Sequence, residues 1–189
     1  IIGGGYIAVE YGHFFAAMGT RVTIIEMGEH LVAHEEPEIC ELLESKLKDR
    51  MSVQLKTKTV KVSRSGEGCT VHTKAADGTE ADWVAQRILV ATGRKSNAPS
   101  VRPEKTGVEL TQNQFVKTDE YLQTTKEGIW AVGDAVGKQM FTHAADKEVE
   151  VAWHNAMNGQ GGGTRVKMDN TRVPHAVFTY PQIASVGMG

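Results

Sequence analysis

Ile1-Ile-Gly-Gly-Gly-Tyr-Ile-Ala-Val-Glu10 opens the chain, and Arg21-Val-Thr-Ile-Ile-Glu26 follows it after a helix-length interval. The first stretch reads as strand, tight turn and helix, the second as a short strand of β-branched residues suited to burial on both faces of a parallel sheet. Each small residue of Gly3-x-Gly5-x-x-Ala8 has a physical reason. Gly3 makes the turn, Gly5 lets backbone approach a pyrophosphate, and Ala8 permits close packing of helix on strand. The helix N-terminus then offers unpaired N–H groups and the positive end of a dipole to phosphate. Glu26 lies 18 residues beyond Ala8, near the roughly 20 at which an acid accepts the ribose hydroxyls of NAD. A carboxylate there repels the 2′-phosphate of NADP, and no arginine pair follows it. The unit is therefore expected to bind NAD.

Outward from this unit, the helix is expected over Tyr6–Met18, with Ile7, Phe14, Phe15, Met18, Ala8 and Ala16 as its apolar stripe and Gly19 as its stop. Glu35-Glu-Pro37 opens a second helix whose Ile39, Leu42, Leu43 and Leu47 line one face. From Ser52 the period becomes two. Ser52–Leu55, Thr57–Ser63, Cys69–Ala75 and, after the Asp77-Gly78 turn, Thr79–Trp83 predict an antiparallel meander. Arg87–Gly93 is a buried-type strand, and the proline-containing stretch Arg94–Pro103 a crossover between domains. Phe115–Lys117 predicts a short strand, Gly128–Asp134 a buried one, and Thr142–Asn158 a helix closed by Gly159. Gln160–Gly163 has linker composition, and Val173–Gly189 is β-like. The fold class is α/β: a Rossmann-like domain over residues 1–93, a second unit over 94–163 and the start of a third over 164–189.

Composition narrows the function. Of 189 residues, 20 are glycine, 40 % are hydrophobic and 23 % charged, which are globular values. A net charge of −2 gives no footprint for nucleic acid or anionic membrane. No apolar run is long enough for a spanning helix. Cys40 and Cys69 cannot staple a chain of this size and point to reduced thiols in the cytoplasm. His30 and His34, four residues apart beside Glu35 and Glu38, sit on an acidic solvated segment, and no metal is expected there. Because the chain starts at Ile1 and stops in a strand-like segment, it is expected to be a piece of a longer protein.

Gly3–Glu10, Val90-Ala-Thr-Gly-Arg94, Gly128-Ile-Trp-Ala-Val-Gly-Asp134, Met140-Phe-Thr-His-Ala-Ala145 and Val173–Gly187 occur in that order. Together they resemble the pyridine nucleotide–disulfide oxidoreductases, homodimeric flavoenzymes that include dihydrolipoamide dehydrogenase and the glutathione, mycothione and mercuric reductases. The resemblance covers essentially the whole chain. It implies FAD and NAD as cofactors, with residues 94–163 returning to an FAD-binding domain and 164–189 opening a dimerisation domain. It implies that Gly3, Gly4, Gly5, Tyr6, Ile7, Ala8 and Glu10 hold the pyrophosphate and nicotinamide side of NAD, with Tyr6 beside the nicotinamide pocket. Glu26 takes the adenosine ribose, and Val60 and Gly93 line the dinucleotide. Glu10 is the one catalytic candidate, matching a glutamate that pairs with a lysine beside the flavin. Gly133 and Asp134 reach the FAD ribitol, while Met140, Phe141, Thr142, His143 and Ala144 cross the flavin at a helix start.

The family's Cys-x4-Cys redox pair, its FAD glycine motif and its His-Glu acid–base pair have no counterpart in these residues. Cys40 and Cys69 stand 29 positions apart and are expected to be structural thiols. The expected activity is electron transfer between NAD(H) and a dithiol or disulfide, lipoamide favoured, with a mercuric or mycothione reductase as the alternative. A different class of reading is a dinucleotide-binding module that has no catalysis of its own.

Overall fold

The computed structural model describes residues 1–66, 68–158 and 163–187. They divide into two compact units, one of residues 1–93 with 176–185, the other of residues 94–175 with Val186 and Gly187. The expected helix stop at Gly159 and most of the 160–163 linker lie outside the described residues.

In the first unit, helix α1 (Tyr6–Ala17) leads to strand β1 (Thr23–Ile25), helix α2 (Pro37–Lys48) and strand β2 (Ser52–Gln54). Strands β1 and β2 pair in parallel, Thr23 with Ser52 and Ile25 with Gln54. Ile2 bridges in parallel to Ile25 on one side and to Val90 on the other. The parallel layer thus reads Val90, Ile2, β1, β2 across its width. Ser52–Gln54 belongs to this layer and not to the meander that its alternation predicted. Alternation reports that two faces differ, and says nothing about which strand lies alongside. The Arg87–Gly93 segment contributes one bridge, at Val90, in place of a full strand.

Strands β3 (Thr57–Ser65), β4 (Gly68–Ala75) and β5 (Glu80–Ala85) form the antiparallel meander in the order β3-β4-β5. Its register pairs Lys61 with His72 and His72 with Asp82, and shifts at Val60 between Thr59 and Lys61.

Helix α1 buries Ala8 of the expected stripe but turns its large apolar members outward. Ala8, Val9 and Gly12 are buried, whereas Ile7, Phe14, Phe15 and Met18 are exposed, Met18 by 72 %. The sheet sits too close for large side chains: a Cβ on Gly12 would lie 3.0 Å from Ile24 Cδ1. Small residues therefore take the inner face, and aromatic ones the outer. On α2, Cys40, Leu43 and Leu47 enter the core as the helical period requires, but Ile39 and Leu42 stay exposed. Val9, Ile24, Leu31, Leu43, Leu47 and Val177 are among the residues of this core. Val177 comes from β6 (His175–Val177), which pairs with β7 (Ile183–Ser185).

The second unit is built around helix α3 (Thr142–Asn158). Leu122, Val151 and Ala152 form its apolar centre, with Trp130, Val132 and Met168 against it. Buried Asn155 binds three backbone groups: its amide donates to Tyr121 O (3.0 Å) and Val166 O (2.8 Å), and its oxygen accepts Val166 N–H (2.8 Å). The predicted strand Gly128–Asp134 is reduced to an antiparallel bridge between Trp130 and Gln123, and Phe115–Lys117 to one between Val116 and Leu110. Gly133–Ala135 turns into a single 3-10 turn before the backbone can extend further.

Candidate functional site

The glycine turn is shaped from both sides. Gly3 has φ +108°, and a Cβ there would collide with the Ala91 carbonyl, so only glycine fits. A Cβ on Gly4 would stand 2.7 Å from Glu26 Cγ and 2.9 Å from both Glu26 Oε2 and Leu31 Cδ2. Gly5 is different. Its φ of −77° and ψ of −175° are open to any residue, and a Cβ would meet nothing within 4 Å. Nothing in the fold around position 5 requires glycine, and the space beside its Cα is open. Gly5 also caps α1 with no side-chain hydrogen bond, which leaves the first-turn N–H groups to whatever occupies that space.

Glu26 directly follows β1, with its carboxylate beside the turn. Its Oε1 accepts Gly28 N–H at 2.6 Å, while its backbone accepts Thr57 N–H at 2.9 Å. The acid is thus fixed, with Oε2 on the side of Gly4. The segment after it folds back over the turn through Val32 N–H to Gly4 O, 2.8 Å. Buried Val32 adopts φ +46°, a left-handed conformation costly for a β-branched residue. Tyr6 donates its hydroxyl to Glu35 Oε1 at 2.9 Å, tying α1 to the same segment. Burial, and after it the Glu35 bond, push the Tyr6 phenol far above its usual range. Together these groups fit a dinucleotide: a cradle without side chains, helix N–H groups facing it, and a held carboxylate beside it.

Glu10 lies one turn along α1, where Oε1 accepts Phe178 N–H at 2.8 Å. Ile7 is exposed and Ala8 buried. Val60 is exposed at the β3 bulge, three residues beyond the Thr57 that bonds Glu26, and Gly93 has φ +111° with open space at its Cα. His30 Nδ1 lies 3.2 Å from Glu44 Oε1, and no group of three metal-ligating side chains exists among the described residues.

The second unit brings the other predicted residues to one end of α3. Gly133, at φ +64°, donates its N–H to Glu148 Oε2 at 2.5 Å. Exposed Asp134 takes Arg94 Nη1 at 2.8 Å. Phe141 stacks on His143 (centroids 5.7 Å apart, planes at 14°) and on His175 (5.5 Å, 9°). His143 Nε2 also meets Pro174 O at 2.5 Å. Thr142 is exposed and Ala144 buried, with Met140 half-buried. A glycine turn before a helix start, with an exposed acid between them, fits the polar chain of a flavin nucleotide.

A family profile described as pyridine nucleotide-disulphide oxidoreductase matches residues 1–157. The chain belongs to this family. Mycothione reductase of Mycobacterium tuberculosis is 34 % identical over all of this chain and 40 % of its own length. For mercuric reductase of Staphylococcus aureus the figures are 34 %, all and 34 %. Dihydrolipoyl dehydrogenase 2 of Arabidopsis thaliana, a mitochondrial protein, is 33 % identical over 99 % of this chain and 36 % of its own. The structure of a Cu(II) complex of the HOCl-induced flavoprotein disulfide reductase RclA from Escherichia coli superposes with a TM-score of 0.87. It is 29 % identical, and the match covers 99 % of this chain and 41 % of that one. The chain thus spans about 40 % or less of the length of these relatives. Proteins of this pyridine nucleotide-disulfide oxidoreductase family use FAD and NAD(P)H.

In this family setting Cys40 and Cys69 are free thiols on α2 and β4. Cys40 is buried, with Sγ against Glu35 O (3.5 Å) and Val32 O (3.6 Å). Burial pushes its thiol up, with the nearby Glu44 and Glu35 carboxylates adding to the shift. A nucleophilic thiol needs the reverse.

Three side chains that sequence reasoning passed over brace these segments, Glu35 in the first unit and Arg94 and Glu148 in the second. A signal for Glu148 existed. Ala144, Glu148, Val151, Ala152 and Asn155 recur at helical spacing, so an acid stands in the inward stripe of α3. Arg94 and Glu35 carry no such signal, since their partners come from distant segments.

Proposed function

We propose that residues 1–93 bind NAD(H) and that residues 133–144 contact FAD in an FAD-dependent disulfide oxidoreductase, with the redox cysteines supplied by sequence outside these 189 residues. The observation that carries the reading is the open cradle at Gly5 beside the held carboxylate of Glu26. When bound, the two cofactors would supply the redox chemistry, a hydride exchanged at the nicotinamide and two electrons relayed by the flavin to or from a dithiol–disulfide pair. The chain's own residues bind and orient. The α1 N–H groups hold pyrophosphate, Glu26 accepts the ribose hydroxyls and repels a 2′-phosphate, and Asp134 accepts from the flavin's polar chain once Arg94 yields. Glu10, on the α1 face after the turn, is proposed as the carboxylate on the nicotinamide side. A lipoamide-type dithiol is the favoured substrate because Glu26 selects NAD; mycothione and mercuric reductases are the rival assignments. The intact enzyme is proposed as a cytoplasmic homodimer.

Hydrogen exchange of the 189-residue chain with and without NADH tests the dinucleotide site. Protection is expected at residues 5–10 and 26–32. Protection elsewhere, with none at these segments, contradicts the assignment.

A second reading, a dinucleotide-binding module without turnover of its own, is supported by the placement of the two thiols on separate elements, Cys40 on α2 and Cys69 on β4. NADH oxidation by the chain supplied with FAD and lipoamide would decide against it.

A further inference from the structure

The exposed face of the meander carries a cluster unconnected with dinucleotide binding. Ser63 on β3, His72 on β4 and Asp82 on β5 lie side by side across three strands. His72 Nδ1 is 2.6 Å from Asp82 Oδ1, and His72 Nε2 is 2.9 Å from Ser63 Oγ. The register that creates this is specific: His72 stands directly opposite both Lys61 and Asp82, and Ser63 lies diagonally beside it. An ionised carboxylate only accepts, so Asp82 places the imidazole proton on Nδ1. The Nε2 lone pair is then directed at the Ser63 hydroxyl. Hydroxyl, base and orienting acid in this sequence are the arrangement that turns serine into a nucleophile. Lys61 and, one pair further on, Lys74 and Glu80 share this face, the last two joined at 3.6 Å.

We propose that Ser63 is an activated hydroxyl that takes acyl groups from small activated esters. Ser63 Oγ bonds to the ester carbonyl carbon as its proton passes to His72 Nε2. The ester C–O bond breaks and the leaving alcohol recovers that proton. Water, deprotonated by the same imidazole, then releases the acid and regenerates Ser63.

The test uses p-nitrophenyl acetate with the full chain, followed by peptide mass spectrometry, and a fluorophosphonate as a second, stable label for activated serine. Both reagents are expected to modify Ser63 ahead of every other hydroxyl. General-base catalysis contributes about 10²-fold or more, so His72→Gln is expected to slow Ser63 labelling by about that factor. Asp82→Asn, which keeps the shape but not the tautomer control, should slow it by about tenfold or more. Ser63→Ala should abolish the fluorophosphonate label. Modification confined to lysine amines, no labelling at all, or a Ser63 rate unchanged in both His72→Gln and Asp82→Asn would overturn the proposal.

Discussion

Gly5 and Gly3 are both glycines in one turn, yet they answer to different constraints. Gly3 is required by the backbone, since φ +108° and the Ala91 carbonyl exclude a side chain. Gly5 is not required by anything within 4 Å. Gly5→Ala should therefore change unfolding free energy by less than about 1 kcal/mol, while the added methyl would obstruct the proposed pyrophosphate position. NADH affinity, read by calorimetry, should fall at least about tenfold, which is roughly 1.4 kcal/mol. Equal loss of stability and affinity would make position 5 structural after all. Glu148 gives a second residue-scale expectation. Burial holds its carboxyl above the usual range, with the Gly133 N–H and Lys138 only partly opposing this. The folded state keeps the proton to higher pH than the unfolded state, so folding takes up a proton. Stability should therefore fall as pH rises from the usual carboxylate range through the raised folded value, then level off. Glu148→Gln should remove that slope in thermal unfolding followed across pH; a slope that persists would assign it to another group.

At the scale of elements, what the sequence discloses depends on whether the deciding contact is local. The Gly3–Glu26 unit was legible because turn, helix start and acid follow one another along a short stretch of chain. Ala8 on the inner face of α1 was legible too, but the rest of that face was not, since apolar content pointed to Phe14 and Met18 while the distance to Ile24 selected Gly12. Strand β2 alternated like its successors and yet joined the parallel layer, because a partner in space leaves no mark on period two. Arg94 and Asp134 stood inside recognised motifs, but nothing between them predicted a 2.8 Å ion pair. The α1 packing makes a prediction of its own. Gly12→Leu forces bulk against Ile24 and Met51 and should cost about 1–3 kcal/mol of stability by denaturant unfolding. A neutral result would mean that α1 is free to lift from the sheet.

For the molecule as a whole, the two units carry different parts of one proposed electron path. The first presents a glycine turn, a helix start and the held Glu26 carboxylate within residues 3–26. The second presents Gly133, Asp134 and the α3 start, with Arg94 occupying the Asp134 carboxylate. The purified chain should accordingly bind NADH and yet show no stoichiometric flavin band in its visible spectrum. Copurified flavin would show that residues 94–175 suffice to hold it. The most direct test of the central claim, that Glu26 and the Gly3–Gly5 turn form an NAD site, is a calorimetric titration of this chain with NADH and with NADPH. NADH should bind more tightly by at least about tenfold, since a 2′-phosphate would have to face the fixed Glu26 carboxylate. Equal or tighter binding of NADPH, or no binding of either nucleotide, would contradict the account.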